Sequence, residues 1–316
     1  MAKELLLTNE WVEIKQGTIT DEQTVSLFLA LRTNSVYTFR NYQRAIAHFR
    51  EFISYKPLRE VTWKDIELYQ YHLSKGTYSK RNMPYAPATV ASLLAPLRSF
   101  FKWGSDPNVK LFSHDPTTSI RAPKVAITSK HHYLTQRETV LLLNQLKHQG
   151  GRDYLVGLSL VLLGLRVSEL TAMRWTDFHT DPAESSIWLS VERGKGNKQR
   201  DVKVPQKLWR LYKEYAALYE PKDPLDHVFP LSVRQVERII RTARENCQIG
   251  KKVTPHWLRH TNATLALLHG ASLQQVQENL GHAHITTTQR YLHTVEQLQK
   301  AAPDYVENCL QDALRL

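Results

Sequence analysis

Cysteine is almost absent: Cys247 and Cys309 are the only two in 316 residues. Two thiols cannot build a disulfide framework, and neither stands in a metal-ligand spacing, which excludes a disulfide-stapled scaffold and a cysteine zinc site. Such sparse cysteine suits a reducing cytoplasm. Long apolar runs are missing as well. The longest, YLVGLSLVLLGL from Tyr154 to Leu165, is too short to span a bilayer and reads as a buried helix. The N-terminal MAKELLLTNEW has no basic region followed by an apolar stretch, so no signal peptide is expected and the protein is placed in the cytoplasm. Acidic residues are outnumbered, 30 against 42 Lys and Arg, leaving a net charge of +12.

That positive excess is spread along the chain. Residues 1–110 carry 15 basic and 10 acidic side chains, and the remainder carries 27 and 20. Both parts are therefore positive, as expected if both face one long polyanion. A hydrophobic content of 42% with 23% charged residues fits a folded globular chain, long enough for two domains.

Residues 18–103 read as four helices: Thr20 to Leu31, then SVYTFRNYQRAIAHFREFI, TWKDIELYQYHL with Thr62 as N-cap, and APATVASLLAPLRSFFKW, which Pro96 should kink. A Pro-, Ser- and Asp-containing passage follows and reads as a linker. Beyond it, Thr135 and Glu138 form a capping box, and a buried helix is expected to run to about Met173. SIWLSVE and QRDVKVP read as strands flanking RGKGNK, a tight hairpin turn. From SVRQVERIIRTAREN onward the spacing is helical, with Arg234, Arg238 and Arg241 on one face and Arg244 adjacent. No internal repeat and no low-complexity tract interrupts the pattern.

Four segments carry the chemistry: GLRVSEL (164–170), RGKGNKQR (193–200), HWLRHT (256–261) and LGHAHITTTQRYLHT (280–294). Alone, each has an ordinary explanation: an ion-paired arginine, a common turn, a helix start with a core histidine, a packing tyrosine. The histidines also invite a metal reading. HWLRH has the i, i+4 spacing of a zinc helix, but Trp257 occupies the place where HExxH needs its glutamate base, and beyond a surface clip of His282 and His284 only spacing supports a metal, so none is expected.

Taken in this order and spacing, the four segments resemble the tyrosine recombinase/integrase family, especially its compact bacterial Xer-like members. The likeness extends to SVYTFRNYQRAIAHF, YAPATVASLLAPLRSFFKW and ITSKHHYLTQRE, and so to nearly the whole chain. It implies a mainly α fold with a small antiparallel β-sheet, in two domains that form a C-shaped clamp on DNA. Residues 18–110 would be the helical, SAM-like core-binding domain, 111–130 a linker and 131–302 the α+β catalytic domain. Residues 303–316 would form a helix that docks on a neighbouring protomer.

The same resemblance implies site-specific recombination through a 3′-phosphotyrosine and a Holliday junction. It matches Tyr291 to the nucleophile, Arg166 and Arg259 to the phosphate clamp, and Lys195 to the general acid. His256 matches the base or proton relay, His282 a phosphate hydrogen-bond donor and Glu169 the supporting acid. The implied partner is double-stranded DNA at a specific site, held by a homotetramer on two duplexes, with a second recombinase or accessory factor left open.

These residue types make chemical sense without the family. A tyrosine can store a phosphodiester's bond energy as a phosphoprotein ester, and arginines offset charge on the pentacovalent phosphorus. No metal or nucleotide is then required. Arg234, Arg238, Arg241 and Arg244, with Lys198, Arg200, Arg40 and Arg44, are expected to contact DNA. Trp257 stands where the family often has Asp, Asn279 where it has leucine, and His284 where a small residue is usual. A type IB topoisomerase sharing the pocket and a non-catalytic DNA-binding protein of this fold are the alternatives. The compact helical first domain and the terminal helix favour recombination, and about 20 residues before the first helix leave too little chain for an arm-binding domain of the lambda integrase kind.

Overall fold

Apolar side chains spaced three and four apart dictate helices through the first third of the chain, and the computed structural model has them. It describes residues 19–33, 35–79, 82–124, 132–192, 199–219, 223–299 and 302–314. The chain divides into two compact units, Met1–Ala126 and Ile127–Leu316.

The first unit holds helices α1 (Asp21–Arg32), α2 (Val36–Phe52), α3 (Trp63–Lys75) and α4 (Pro87–Gly104). Reciprocal Thr20–Gln23 and Thr62–Asp65 capping boxes start α1 and α3, satisfying amides that a helix start leaves unpaired. α4 runs through Pro96 at the loss of one backbone hydrogen bond. The apolar faces meet in an aromatic core of Phe28, Phe49, Tyr69, Phe100 and Phe101, each at most 1% exposed. Each such ring contributes roughly 1.5–3 kcal/mol by burial. Within the passage expected to be a linker, Phe112 and Ile120 are buried in this core, and Arg98 donates to the Ile120 carbonyl. Residues 125–131 lie outside the described residues.

In the second unit α5 (Gln136–Gln149) starts at the expected Thr135–Glu138 box and packs on α6 (Gly151–Leu162), whose residues Leu155 to Val161 are all buried. The expected single helix to Met173 is not what forms. α6 ends at Leu162, and a separate short helix, α7 (Val167–Ala172), begins after Arg166. The break sits at Gly164, whose φ of +63° is left-handed, and a Cβ there would lie 2.7 Å from Asn262 Oδ1 and 2.9 Å from Leu280 Cδ2.

Strands β1 (Phe178–Thr180), β2 (Ile187–Val191) and β3 (Arg200–Val204) form an antiparallel sheet in that order. Period-2 alternation points Leu189, Val191, Val202 and Val204 into the core, with Leu189 opposite Val202. β1, three residues long, was not expected. The hairpin turn expected at 193–198 lies outside the described residues. α8 (Gln206–Tyr219) and α9 (Val233–Asn246) complete this core. A smaller cluster joins α10 (Pro255–Leu268), α11 (Leu273–Leu280) and α12 (Ile285–Gln299) through Ala263, Leu267, Val276, Leu280 and Val295. The last helix, α13 (Ala302–Leu314), exposes Tyr305, Val306 and Leu310. Among the described residues no helix is long and apolar enough to cross a membrane.

The expected mainly helical fold with one small antiparallel sheet is thus what forms. Gly164→Ala should destabilise the protein by about 1–3 kcal/mol, the cost of a non-glycine residue in the left-handed region with a buried collision added. Thermal unfolding measures it, and an unchanged melting temperature would mean the turn does not require glycine.

Candidate active site

The break after α6 builds the site. A helix C-terminus leaves carbonyls without intrahelical partners. Here Asn262 of α10 donates to the Val161 and Leu162 carbonyls at 2.8 and 3.1 Å. Asn279 of α11 donates to Leu163 at 3.4 Å and to Asn262 Oδ1 at 3.2 Å. The Gly164 carbonyl accepts from Arg259 Nη1 at 2.5 Å, and the Leu280 carbonyl accepts from Nη2. Arg259, 2% exposed, thereby pins α10 to the break and to the end of α11. The asparagine at 279, where the related pattern has leucine, serves this junction.

Glu169 is the hub. As third residue of α7 it accepts the Arg166 backbone N–H at 2.8 Å and Arg166 Nη1 at 2.6 Å. Arg166 is therefore the residue that caps α7, not a residue on a helix face, and its side chain stays 44% exposed. Arg259 Nη1 lies 3.8 Å from the same carboxylate.

Arg200 departs from expectation. It was expected to contact DNA, but it is 7% exposed and grips Glu169 with both ends of its guanidinium, at 2.9 and 2.8 Å. Its Nε donates to the Asn279 carbonyl at 2.8 Å. Position decides the outcome: Arg200 shares strand parity with Val202 and Val204, so its side chain points inward with theirs. Three guanidiniums around one carboxylate leave a local charge of +2, a field that favours a phosphodiester beside Arg166, the exposed member of the three.

Burial alone would raise the Glu169 carboxyl, but the hydrogen bonds and charge of Arg200, then Arg166, outweigh it and hold the group at about 2. Burial, then the adjacent Arg166 cation, pulls Arg259 down to about 9, which leaves it charged at neutral pH.

The nucleophile candidate, Tyr291, lies on α12 with His282 just before that helix. The two rings are near parallel, 6.3 Å apart. His282 Nδ1 is 2.8 Å from the hydroxyl of Thr288, itself fully buried on the first turn of α12. His260, expected to be structural, has its ring 5.2 Å from Tyr291 and 4.3 Å from His256, with Nδ1 buried and unpartnered. His132 stacks on Trp257 at 4.6 Å, so that tryptophan is a packing residue on the second unit's core. The His284 carbonyl accepts from Thr287 at 3.1 Å where α12 begins, and its own residue is exposed.

Burial first, then the neighbouring arginines and histidines, lowers all three pocket histidines: His256, His260 to about 3 and His282 to about 4. They are therefore neutral near pH 7. Burial raises the Tyr291 phenol, opposed by Arg259 and Arg290.

Arg166, Glu169, His256, Arg259, His282 and Tyr291 are thus gathered in the second unit. Lys195 and Lys198 lie outside the described residues. Arg234, Arg238 and Arg241 are exposed along α9, whereas Arg244 is half-buried and paired with Glu245 at 2.7 Å. Arg40 and Arg44 are exposed on α2. Among the described residues no group of three His, Cys, Asp or Glu could hold a metal ion.

Comparison with known proteins points the same way. Residues 132–297 match the phage integrase family, and residues 23–110 match the phage integrase N-terminal SAM-like domain. A tyrosine recombinase of Pseudothermotoga lettingae is 31% identical over 256 residues, covering 80% of this chain and 86% of that protein. Tyrosine recombinase XerD of Halalkalibacterium halodurans is 32% identical over 283 residues, covering 84% and 89%. Among solved structures, a lambda integrase tetramer bound to a Holliday junction superposes with a TM-score of 0.67 at 20% identity, over 85% of this chain and 75% of that one. At that identity the likeness is one of fold.

The lowered histidines fix a pH dependence of stability. A histidine depressed on folding stabilises fully above its unfolded value near 6.5, and that contribution is lost as pH falls through the folded value. Glu169, held at about 2, contributes above the ordinary carboxylate range and is lost only below it. Stability should therefore decline between pH 6.5 and 4, and His282→Gln should decline less steeply there. Urea unfolding across that range tests this; parallel curves would count against a buried neutral His282.

Proposed function

Because this chain belongs to the phage integrase family and is a tyrosine site-specific recombinase, we propose that Tyr291 is its nucleophile and that Arg166 and Arg259 clamp the scissile phosphate. One observation carries the assignment: Arg166 and Arg259 converge on Glu169, at 2.6 and 3.8 Å, in the unit where Tyr291 stands 5.2 and 6.3 Å from the rings of His260 and His282.

The Tyr291 oxygen attacks phosphorus, forming the P–O(Tyr) bond as the P–O5′ bond breaks. The phenolic proton goes to a neutral histidine, His256 directly or through His260 beside it, and Lys195 protonates the departing O5′. His282 donates to a non-bridging oxygen, and the two guanidiniums stabilise the added negative charge. In the return step a 5′-hydroxyl of the partner strand gives its proton to Lys195 and attacks the phosphotyrosine, expelling the phenolate, which takes back the proton held by the histidine. Repeated on the second strand pair, this resolves a Holliday junction.

Double-stranded DNA is the substrate in this reading. Exposed Arg234, Arg238 and Arg241 on α9, and Arg40 and Arg44 on α2, bind its backbone with Lys198, while Arg244 lies at the edge of that stripe. Residues 18–110 belong to the core-binding domain and 131–302 to the catalytic domain in this reading, while the passage 111–130 adds Phe112 and Ile120 to the first unit's core before the chain passes on. The exposed Tyr305, Val306 and Leu310 of α13 suit docking on a second copy, within a tetramer on two duplexes. Unpaired Cys247 and Cys309 suit a cytoplasmic setting. Resolution of dimers or cointegrates and integration of a mobile element share this chemistry, and the replicon carrying the cleaved site assigns the role.

A library of nicked duplexes that lose their short 5′-hydroxyl fragment on cleavage should trap a denaturant-resistant protein–DNA adduct. Tyr291→Phe should abolish it, and a retained adduct would reject the nucleophile. Joining of two separate duplexes, beyond relaxation of supercoils, separates recombination from topoisomerase action. Deletion from Pro303 onward should leave adduct formation intact and weaken tetramer assembly on DNA, as read by sedimentation; unaltered assembly would remove α13 from the interface.

A further inference from the structure

Arg200 stands outside every role given so far. It has the composition of a DNA contact, following Lys195 and Lys198 in a basic stretch, and the surroundings of a core residue. Its side chain is 5% exposed and meets the Glu169 carboxylate with both Nη atoms, while Nε reaches the Asn279 carbonyl. That carbonyl is one residue before the Leu280 carbonyl held by Arg259, and three before His282. One guanidinium thus connects β3, the start of α7 and the end of α11, the elements that carry Arg166 and precede His282. Two parallel N–H···O bonds to a carboxylate fix orientation as well as distance.

We propose that Arg200 is a positioning residue for strand cleavage, keeping Glu169 ionised and aligned so that Arg166 and Arg259 are presented to the scissile phosphate. The inference rests on the cleavage reading above. The chemical argument is that Glu169 orders its neighbours only as an anion. Protonated, it would keep one acceptor for Arg166 and lose the charge that holds two mutually repelling guanidiniums together. Arg166 is exposed and depends on Glu169 for its placement.

The charged groups facing Glu169 are Arg166 before α7, Arg200 on β3 and Arg259 on α10. On its other side is a cavity of about 420 Å³ lined also by Arg174, Asp177, Glu192 and His227. None of these four forms an ion pair with Glu169, so Arg200 is its main compensation for burial.

Arg200→Met keeps bulk and removes the charge. Two measurements on the full-length variant separate positioning from DNA contact and from simple support of the fold. The first is the salt dependence of binding to a mixed-sequence duplex. A phosphate contact contributes about one to the slope of log affinity against log salt. The slope should stay as in the unsubstituted protein, while Arg238→Ala lowers it. A slope reduced by about one in Arg200→Met would make it a DNA contact and overturn the proposal.

The second is the rate of adduct formation, from pH 8 to pH 5, on the nicked duplex recovered by trapping. The unsubstituted protein sets the reference profile. Arg200→Met should add an acid limb between pH 7 and pH 5, with the rate falling about tenfold per unit below the raised Glu169 value. Glu169→Gln in the same background should flatten that limb, whatever its absolute rate. A uniform loss at every pH, or an unaltered profile, would reduce Arg200 to a structural residue and overturn the proposal.

Should Arg200→Met fail to fold, Arg200→Lys retains the charge without the paired contact and should show the limb at lower pH; a profile parallel to the reference rejects the idea. If the unsubstituted protein forms no adduct, the cleavage reading falls and takes this proposal with it. If it does and only the Arg200 profiles are flat, this proposal alone falls.

Discussion

A carboxylate withdrawn from water costs several kcal/mol unless cations and hydrogen bonds replace its hydration, and removing one partner of such a cluster exposes that whole cost. Glu169 is such a group, with the Arg166 amide and three guanidiniums around it. The elements of the second unit are arranged by this requirement as much as by apolar packing. α6 must stop at Leu162 so that Arg166 can turn back onto Glu169, and the freed carbonyls need Asn262, Asn279 and Arg259. Residues from α7, β3, α10 and α11, far apart in sequence, are tied together in this way.

The electrostatic outcome divides the work of the pocket. Arginines keep their charge and supply a fixed positive field, while the histidines are driven neutral by burial and by those same arginines. In the proposed reaction fixed cations would stabilise charge that develops on phosphorus, and neutral imidazoles would relay a proton without adding a competing charge. Phosphoryl chemistry of this kind commonly relies on magnesium for the first task. Here guanidiniums can fill it, and they need no exchangeable ligand shell.

Much of this was legible in the sequence. The spacing of apolar residues located the helices, Thr62 and the Thr135–Glu138 box marked two of their starts, and four short segments named most of the candidate site. What escaped reading was set by distant contacts. The end of α6 was hidden because Leu163, Leu165 and Leu170 stay apolar and buried through the break, leaving Gly164 as its one local signal. His260 acquires its setting from residue 132 and from α12, which no local pattern reports. Arg200 was misplaced by its basic neighbours, although its parity with Val202 and Val204 marked it as inward.

The hydrogen bond between His282 and Thr288 has a mechanical side. Thr288 and Tyr291 lie three residues apart on α12, about one turn, so they travel together on a rigid rod. A displacement that draws the phenol out of the pocket also pulls the hydroxyl from the imidazole. With Tyr291 as the proposed nucleophile and His282 as the proposed phosphate ligand, one movement would disarm both, like a latch and a trigger on the same bar.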